Sequence, residues 1–351
     1  MSKFLCDKLS ALAPYTPGEQ PQDRKYIKLN TNESPFPPSK KAIEKAEQET
    51  KRLMLYSDPD IKSLVKALSK EYGVEENCVI ATNGSDEVLN FAFMAYCEKE
   101  GAVFPDITYG FYEVFAAING VKSEIIPLKA DFSVDVEGLK KAKGTIFLAN
   151  PNAPTGIALP LSVVEEIVVS NRDRVVVVDE AYVDFGAESA VSLIGKYDNL
   201  LVTQTFSKSR SMAGARLGMG FANPSIINDL NRIRYSTNPY NVNRMTMAAG
   251  VGALEDREYF ENNCKTIIKN REYISEALKN LGFELTPSKA NFVFAKSNRI
   301  SGEDLYKKLK DRGILVRHFT KERIKEYNRI TVGSEQEMIA LATAIKEILE
   351  N

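Results

Sequence analysis

The sequence predicts an α/β protein: a large, mainly parallel sheet flanked by helices, followed by a smaller α+β domain at the C-terminal end. Three observations lead there. From about residue 78 to residue 205, short apolar runs alternate with helical stretches. The runs are apolar at nearly every position, which fits strands buried on both faces of a parallel sheet. After about residue 246 the texture changes to a long helical stretch, strand-like segments and a last helix, a pattern of segregated elements.

The elements follow in order. Residues 14–38 are rich in Pro, Asn and Ser and read as an extended arm. Residues 40–54 and 60–72 read as helices. CVIA (78–81) is a strand that leads through TNG into the helix SDEVLNFAFMAYC. AVF (102–104) is a strand followed by a helix near 109–118. TIFLAN (145–150), VVVVD (175–179) and NLLVTQ (199–204) are further strands, with the helix LSVVEEIVV (161–169) between two of them. A helix over roughly 255–281 then precedes NFVFA (291–295), a helix near 303–312, GILVR (313–317), RITVG (329–333) and a helix over 335–349. The expected division is an arm over 1–30 that joins the small domain, a large domain over 31–245 and a small domain over 246–351.

Composition narrows the function classes. The 351 residues carry 46 Lys and Arg against 47 Asp and Glu, so no basic excess points to nucleic acid. No run approaches the roughly 20 apolar residues of a membrane helix, and the N-terminus lacks the apolar stretch and cleavage site of a signal peptide. The four cysteines form no CxxC pair and His318 is the single histidine, so a zinc site is not expected. Reduced thiols in a cytoplasmic protein are the expected state.

In parallel sheets ligands bind beyond the carboxyl ends of the strands, and four such ends stand out. Asn83-Gly84-Ser85-Asp86 opens a helix; its free first-turn N–H groups suit a phosphate, or simply a capped turn. Asn150–Gly156 (NPNAPTG) is a rigid loop, of the kind that carries function or merely turns the chain. Asp179 ends a buried strand and needs a positive partner, either an Arg or Lys or a protonated heteroaromatic nitrogen. Tyr182 lies close by in sequence. Lys208 follows Thr205-Phe206-Ser207 in a segment of small residues. Burial would make it a nucleophilic amine, whereas most lysines are surface residues. Arg216 follows Ala213-Gly214, where little side-chain bulk blocks a phosphate. Together the four segments supply a phosphate cradle, a pyridinium partner, an amine and a cationic clamp.

These residues resemble the aspartate-aminotransferase superfamily of pyridoxal 5′-phosphate enzymes, of fold type I. NGSDE (83–87), NPNAPTG (150–156), DEAY (179–182) and SK…AGARLG (207–218) match in order and spacing. LAPYTPG (12–18), KLNTNESPFPPS (28–39), PDITYGFY (105–112), PYNVN (239–243), GILVRHF (313–319) and RITVG (329–333) are similar to the histidinol-phosphate aminotransferase family within it. The resemblance implies transfer of an amino group between L-histidinol phosphate and 2-oxoglutarate in histidine biosynthesis. It implies that the large domain binds the cofactor and that Lys208 forms the Schiff base and moves the proton. Asp179 would pair with the ring N–H, Tyr182 would donate to the phenolic oxygen, and Tyr109 would stack on the ring. Gly84, Ser85, Asp86, Thr205, Ser207 and Arg216 would surround the phosphate. Arg329 would grip substrate anions, with Arg317, Tyr15 and Asn32 lining the substrate pocket. Tyr56, in LYSDP, would reach the partner's cofactor phosphate in a homodimer with shared sites. Where the family has Asn directly before PTG, this chain has Ala153, and Asn152 is the neighbouring substitute. Two other readings use the same residues: a threonine-phosphate decarboxylase or aromatic aminotransferase of the same fold, and a non-catalytic protein that kept the fold. LNTNESPF favours the first family, and intact Lys208, Asp179 and Arg216 speak against a non-catalytic protein.

Overall fold

The computed structural model describes residues 2–10 and 12–350. After a first short strand, β1 (Ile27–Lys28), come β2 (Val79–Thr82), β3 (Ala102–Pro105), β4 (Ser123–Ile126), β5 (Thr145–Ala149), β6 (Val176–Asp179), β7 (Leu200–Thr205) and β8 (Gly218–Ala222). These last seven form one sheet in the order β2-β8-β7-β6-β5-β3-β4. The ladders from β7 to β4 are parallel, and β8 runs antiparallel to both of its neighbours, β7 and β2. Alternation along the central strands shows why the runs are apolar throughout. Ile146, Leu148, Val176, Val178, Leu200 and Val202 enter the core on one face. Phe147, Val177 and Leu201 enter the core on the other. Each strand is therefore covered twice.

The rest of the chain adds β9 (Phe283–Leu285), β10 (Phe292–Ser297), β11 (Ile314–Leu315), β12 (Arg317–His318) and β13 (Tyr327–Thr331). Four of them make an antiparallel sheet, β12-β13-β10-β9. Helices Arg257–Asn280, Gly302–Asp311 and Glu335–Glu350 pack against it around a third core containing Ile267, Ile274, Phe292, Ile330, Leu341 and Ile345. Ser301 caps the second of these helices by accepting the Asp304 N–H at 3.0 Å.

Among the differences from the expected elements, four bear on the site. GILVR is broken into β11 and β12, because Ile27 and Lys28 pair in parallel with Ile314 and Leu315 while Arg317 pairs with Arg329. Part of the arm is buried rather than merely extended: Leu29, Asn30 and Asn32 are interior residues. Strand β8, GMGFA, was hidden by its glycines, which weaken any strand signal. The helix Arg244–Glu255 spans the expected boundary at 245/246, and its Met247, Ala249, Ala253 and Leu254 belong to the core of the large sheet.

Candidate active site

The carboxyl ends of β5, β6 and β7, the start of the helix Ser85–Tyr96 and the segment after β7 surround one cavity of about 330 Å³. Its wall includes Ser85, Asp86, Tyr109, Asp179, Tyr182 and Lys208. Thr205, Ser207 and Arg216 complete it on one side. Because β8 is antiparallel, the segment between β7 and β8 returns to the same edge, so Lys208 and Arg216 face one space.

The helix at one end begins with Gly84 at φ 78, a left-handed backbone that favours glycine, and no side chain caps it. Its first-turn N–H groups and the helix dipole face the cavity. Gly218 lets β8 come against this turn: a Cβ there would lie 2.1 Å from the Ser85 nitrogen. Arg216 sits over the turn, 3.4 Å from Asp86 Oδ2. The Ser207 N–H donates to Thr205 Oγ1 at 3.1 Å, and that hydroxyl donates to Ser207 Oγ at 3.0 Å. The result is a compact set of donors with a cation beside them, suited to a phosphate.

Asp179 lies at the cavity's opposite end. Its Oδ2 accepts from the Tyr112 hydroxyl at 2.9 Å and its Oδ1 from the Ala181 N–H at 3.3 Å. Burial pushes its carboxyl up to about 6, against the lowering effect of the Tyr112 bond. Among the described residues it forms no ion pair, so this buried carboxylate lacks a cationic partner that the cavity has room to supply. Lys208 stands between the two ends. Its Nζ donates to the Thr31 carbonyl at 3.3 Å and lies 5.8 Å from the Tyr182 ring centre. Burial, helped by the Arg329 cation, brings its ammonium down to about 8. The amine is therefore available as a nucleophile near neutral pH.

A profile of the family described as Aminotransferase class I and II matches residues 24–345. The chain belongs to the class I and II aminotransferases. It is 48% identical over the full length of both chains to a histidinol-phosphate aminotransferase of Brachyspira hyodysenteriae. A protein of the same name from Marinomonas sp. is 49% identical, over 99% of this chain and 100% of its own. Among solved structures, a histidinol-phosphate aminotransferase from Sinorhizobium meliloti in complex with pyridoxal 5′-phosphate superposes with a TM-score of 0.86 and 25% identity, covering 93% of this chain and 92% of its own.

In this aminotransferase a second cavity, of about 610 Å³, adjoins the first and shares Lys208, Tyr109 and Tyr182 with it. Arg329, on β13, enters it with Nη2 donating to the Asn30 carbonyl at 3.2 Å. Its Nε is buried without a partner and no carboxylate pairs with it among the described residues. Burial lowers its pKa, yet a guanidinium stays charged. Arg317 is already engaged: its guanidinium donates to the carbonyls of Thr16 and Pro17, holding the arm. Tyr15, on that arm, stacks on Phe111 at 4.2 Å. The His318 ring nitrogen Nε2 meets the Lys325 carbonyl at 2.8 Å.

One residue expected in this chain's cofactor cavity lies elsewhere. Asn152 does not line the cofactor cavity. Its amide N–H groups donate to the Ile107 carbonyl and Thr155 Oγ1, and its oxygen accepts from Thr108, so the side chain knits the loop together. Ala153 reaches the cavity wall in its place. Tyr56, expected to act in a partner's site, lines neither cavity of this chain and is exposed, stacked on Tyr240 at 4.5 Å. Asn32 borders the second cavity, but its amide is buried and donates to the Tyr182 oxygen at 2.9 Å. Sequence reasoning missed Tyr112 and Thr31. Tyr112 was accessible as the residue one helical turn after Tyr109; Thr31 acts through its backbone carbonyl, which leaves no trace in residue identity.

Proposed function

We propose that this chain transfers an amino group between L-histidinol phosphate and 2-oxoglutarate, giving imidazole acetol phosphate and L-glutamate in histidine biosynthesis, with pyridoxal 5′-phosphate attached at Lys208. The observation that carries the substrate choice is Arg329, a half-buried guanidinium whose Nε has no partner and which pairs with no carboxylate among the described residues, in a cavity that shares Lys208 with the first. One such fork can serve the carboxylate of glutamate and the phosphate of histidinol phosphate in turn.

The residues divide the work by position. The Ser85 and Asp86 N–H groups, Thr205, Ser207 and Arg216 hold the cofactor phosphate. Tyr109, whose hydroxyl donates to Asp86 Oδ1 at 2.7 Å, presents its ring to the cavity. Asp179 keeps a ring nitrogen protonated. When bound, the cofactor supplies an electron-poor ring that accepts the electron pair left by the broken Cα–H bond. Lys208 Nζ would take that proton from the substrate Cα and hand it to the aldehyde-derived carbon of the cofactor, on the other side of the bridging nitrogen. Tyr15, which lines the second cavity and is backed by Phe111, offers an aromatic face for an imidazole.

The same reading makes the enzyme a cytoplasmic homodimer. Leu53, Met54, Leu55 and Tyr56 are 59%, 80%, 54% and 79% exposed and consecutive, an apolar ridge suited to burial against a second copy. Cys6, Cys78, Cys97 and Cys264 are all free thiols, in keeping with a reducing compartment. Borohydride reduction of the yellow holoenzyme should fix the cofactor to Lys208 on peptide mapping, and histidinol phosphate should exceed phenylalanine and threonine phosphate in a coupled assay. Label on a different lysine would overturn the site.

A further inference from the structure

Asn32 is a non-glycine residue with a left-handed backbone, φ 55, buried where the arm crosses between the two sheets. Its hydrogen bonds run in one consistent set of directions. The Asn32 N–H donates to Thr331 Oγ1 at 2.9 Å, so that hydroxyl is an acceptor there and has its own hydrogen to give. It gives it to Asn32 Oδ1 at 3.1 Å. The side-chain oxygen is thereby assigned as the acceptor, and the amide nitrogen faces Tyr182. The Asn32 carbonyl accepts from the Asn291 amide at 3.0 Å, which anchors the unusual backbone. Asn is among the few residues that tolerate this conformation.

The Tyr182 oxygen is then an acceptor from Asn32. Its own hydrogen finds no acceptor among the described residues, and the hydroxyl stands in the wall of the cofactor cavity. We propose that Asn32 is a positioning residue that sets the polarity of Tyr182: by filling the phenol's acceptor side, it turns the hydroxyl hydrogen into the cavity, toward an anionic oxygen of the bound cofactor. This rests on the function proposed above and deepens it, since Asn32 acts through Tyr182 rather than on substrate. The charged groups facing Tyr182 are Arg329 from β13, Asp179 at the end of β6, Asp86 from the helix after β2, and Lys208, whose ammonium lies over the ring. None of them supplies an acceptor for that hydrogen.

The test reads the pH midpoint of the bound cofactor's absorbance in four holoenzymes: unsubstituted, Asn32→Gly, Tyr182→Phe and the double variant. Glycine accepts the backbone angle and removes only the amide. A donor to an anionic oxygen favours the deprotonated form, so losing its aim raises the midpoint. The expected rise for Tyr182→Phe is about one pH unit, the scale of one hydrogen bond to a charged group. Asn32→Gly should raise the midpoint by a measurable part of that, and by nothing further once residue 182 is Phe. Asn32→Asp, which can only accept, should reproduce most of the Tyr182→Phe shift in the Tyr182 enzyme and less in the Phe background. Equal shifts in both backgrounds, or none in either, would show that Asn32 serves folding alone and overturn the proposal. Absence of Lys208-bound absorbance in the unsubstituted protein would instead overturn the function reading, and this proposal with it.

Discussion

At the scale of single residues, the site holds charges that are poorly compensated without a cofactor. Asp179 has a folded pKa of about 6 against an ordinary value of 3.8. Between those values the folded chain binds a proton that the unfolded chain has lost. Its contribution to stability is therefore full below 3.8 and is lost as pH rises through 6. Near neutral pH the cofactor-free protein carries a buried carboxylate at a cost on the order of 3 kcal/mol. Asp179→Asn should accordingly raise the Tm of the cofactor-free protein at pH 7 while lowering transamination by orders of magnitude. Calorimetry and a turnover assay on one preparation check both, and a lower Tm in the variant would contradict the account. Arg329 is the counterpart on the substrate side. Arg329→Ala should impair both half-reactions, by about 2–5 kcal/mol in kcat/KM for a desolvated charged contact. Arg329→Lys should recover only part, because a point charge does not reproduce the fork. Single-turnover kinetics with glutamate and with histidinol phosphate separate the two. An unchanged value for histidinol phosphate would move the phosphate to another cation.

At the scale of elements, the phosphate cradle depends on how closely β8 approaches the start of the helix Ser85–Tyr96. Gly218→Ala would set a methyl group against backbone atoms, 2.1 Å from the Ser85 nitrogen and 2.3 Å from the Gly84 carbon. Neither can step aside as a side-chain tip could. Cofactor affinity should fall at least tenfold, measured by titrating the cofactor-free variant and following absorbance; unaltered affinity would mean that the turn is not the cradle. The same region shows what could be read in the sequence. Lys208, Asp179 and Ser85 were legible because each follows an apolar run, and strand ends converge in a parallel sheet; Arg216 was legible through the small residues Ala213 and Gly214 before it. The β8 strand that brings Arg216 back was not legible, since Gly218 and Gly220 dilute the strand pattern. Strand β4 escaped for another reason: three of its four residues, Ser123, Glu124 and Ile125, are exposed at the sheet edge, so it lacks the apolar density of its neighbours. The Asn152 amide could not be assigned from sequence either, because its partners Ile107 and Thr108 come from a loop more than 40 residues earlier.

At the scale of the whole molecule, the exposed ridge Leu53–Tyr56 predicts a dimer whose sites are shared. Mixing Lys208→Ala protein with a Tyr56→Ala variant of impaired activity should give hybrids that regain activity, because one site of each hybrid then has both native residues. Demonstrated hybrids with no recovery would show that Tyr56 acts within its own chain or not at all. The long-range connections also bear on synthesis. The cofactor cavity is lined entirely by residues from Thr31 to Arg216, whereas the second cavity needs Arg317 and Arg329. The left-handed geometry of Asn32 is held by Asn291 and Thr331. Domains fold as units from the N-terminus during translation. A growing chain that has released β8 and the helix Arg244–Glu255 thus carries every residue of the cofactor wall, but the contacts that hold Thr31 and Asn32 in place, and the cation that would grip a substrate, lie in its last hundred residues. The place for the ligand that stays and the place for the ligand that turns over are therefore finished by the same C-terminal residues.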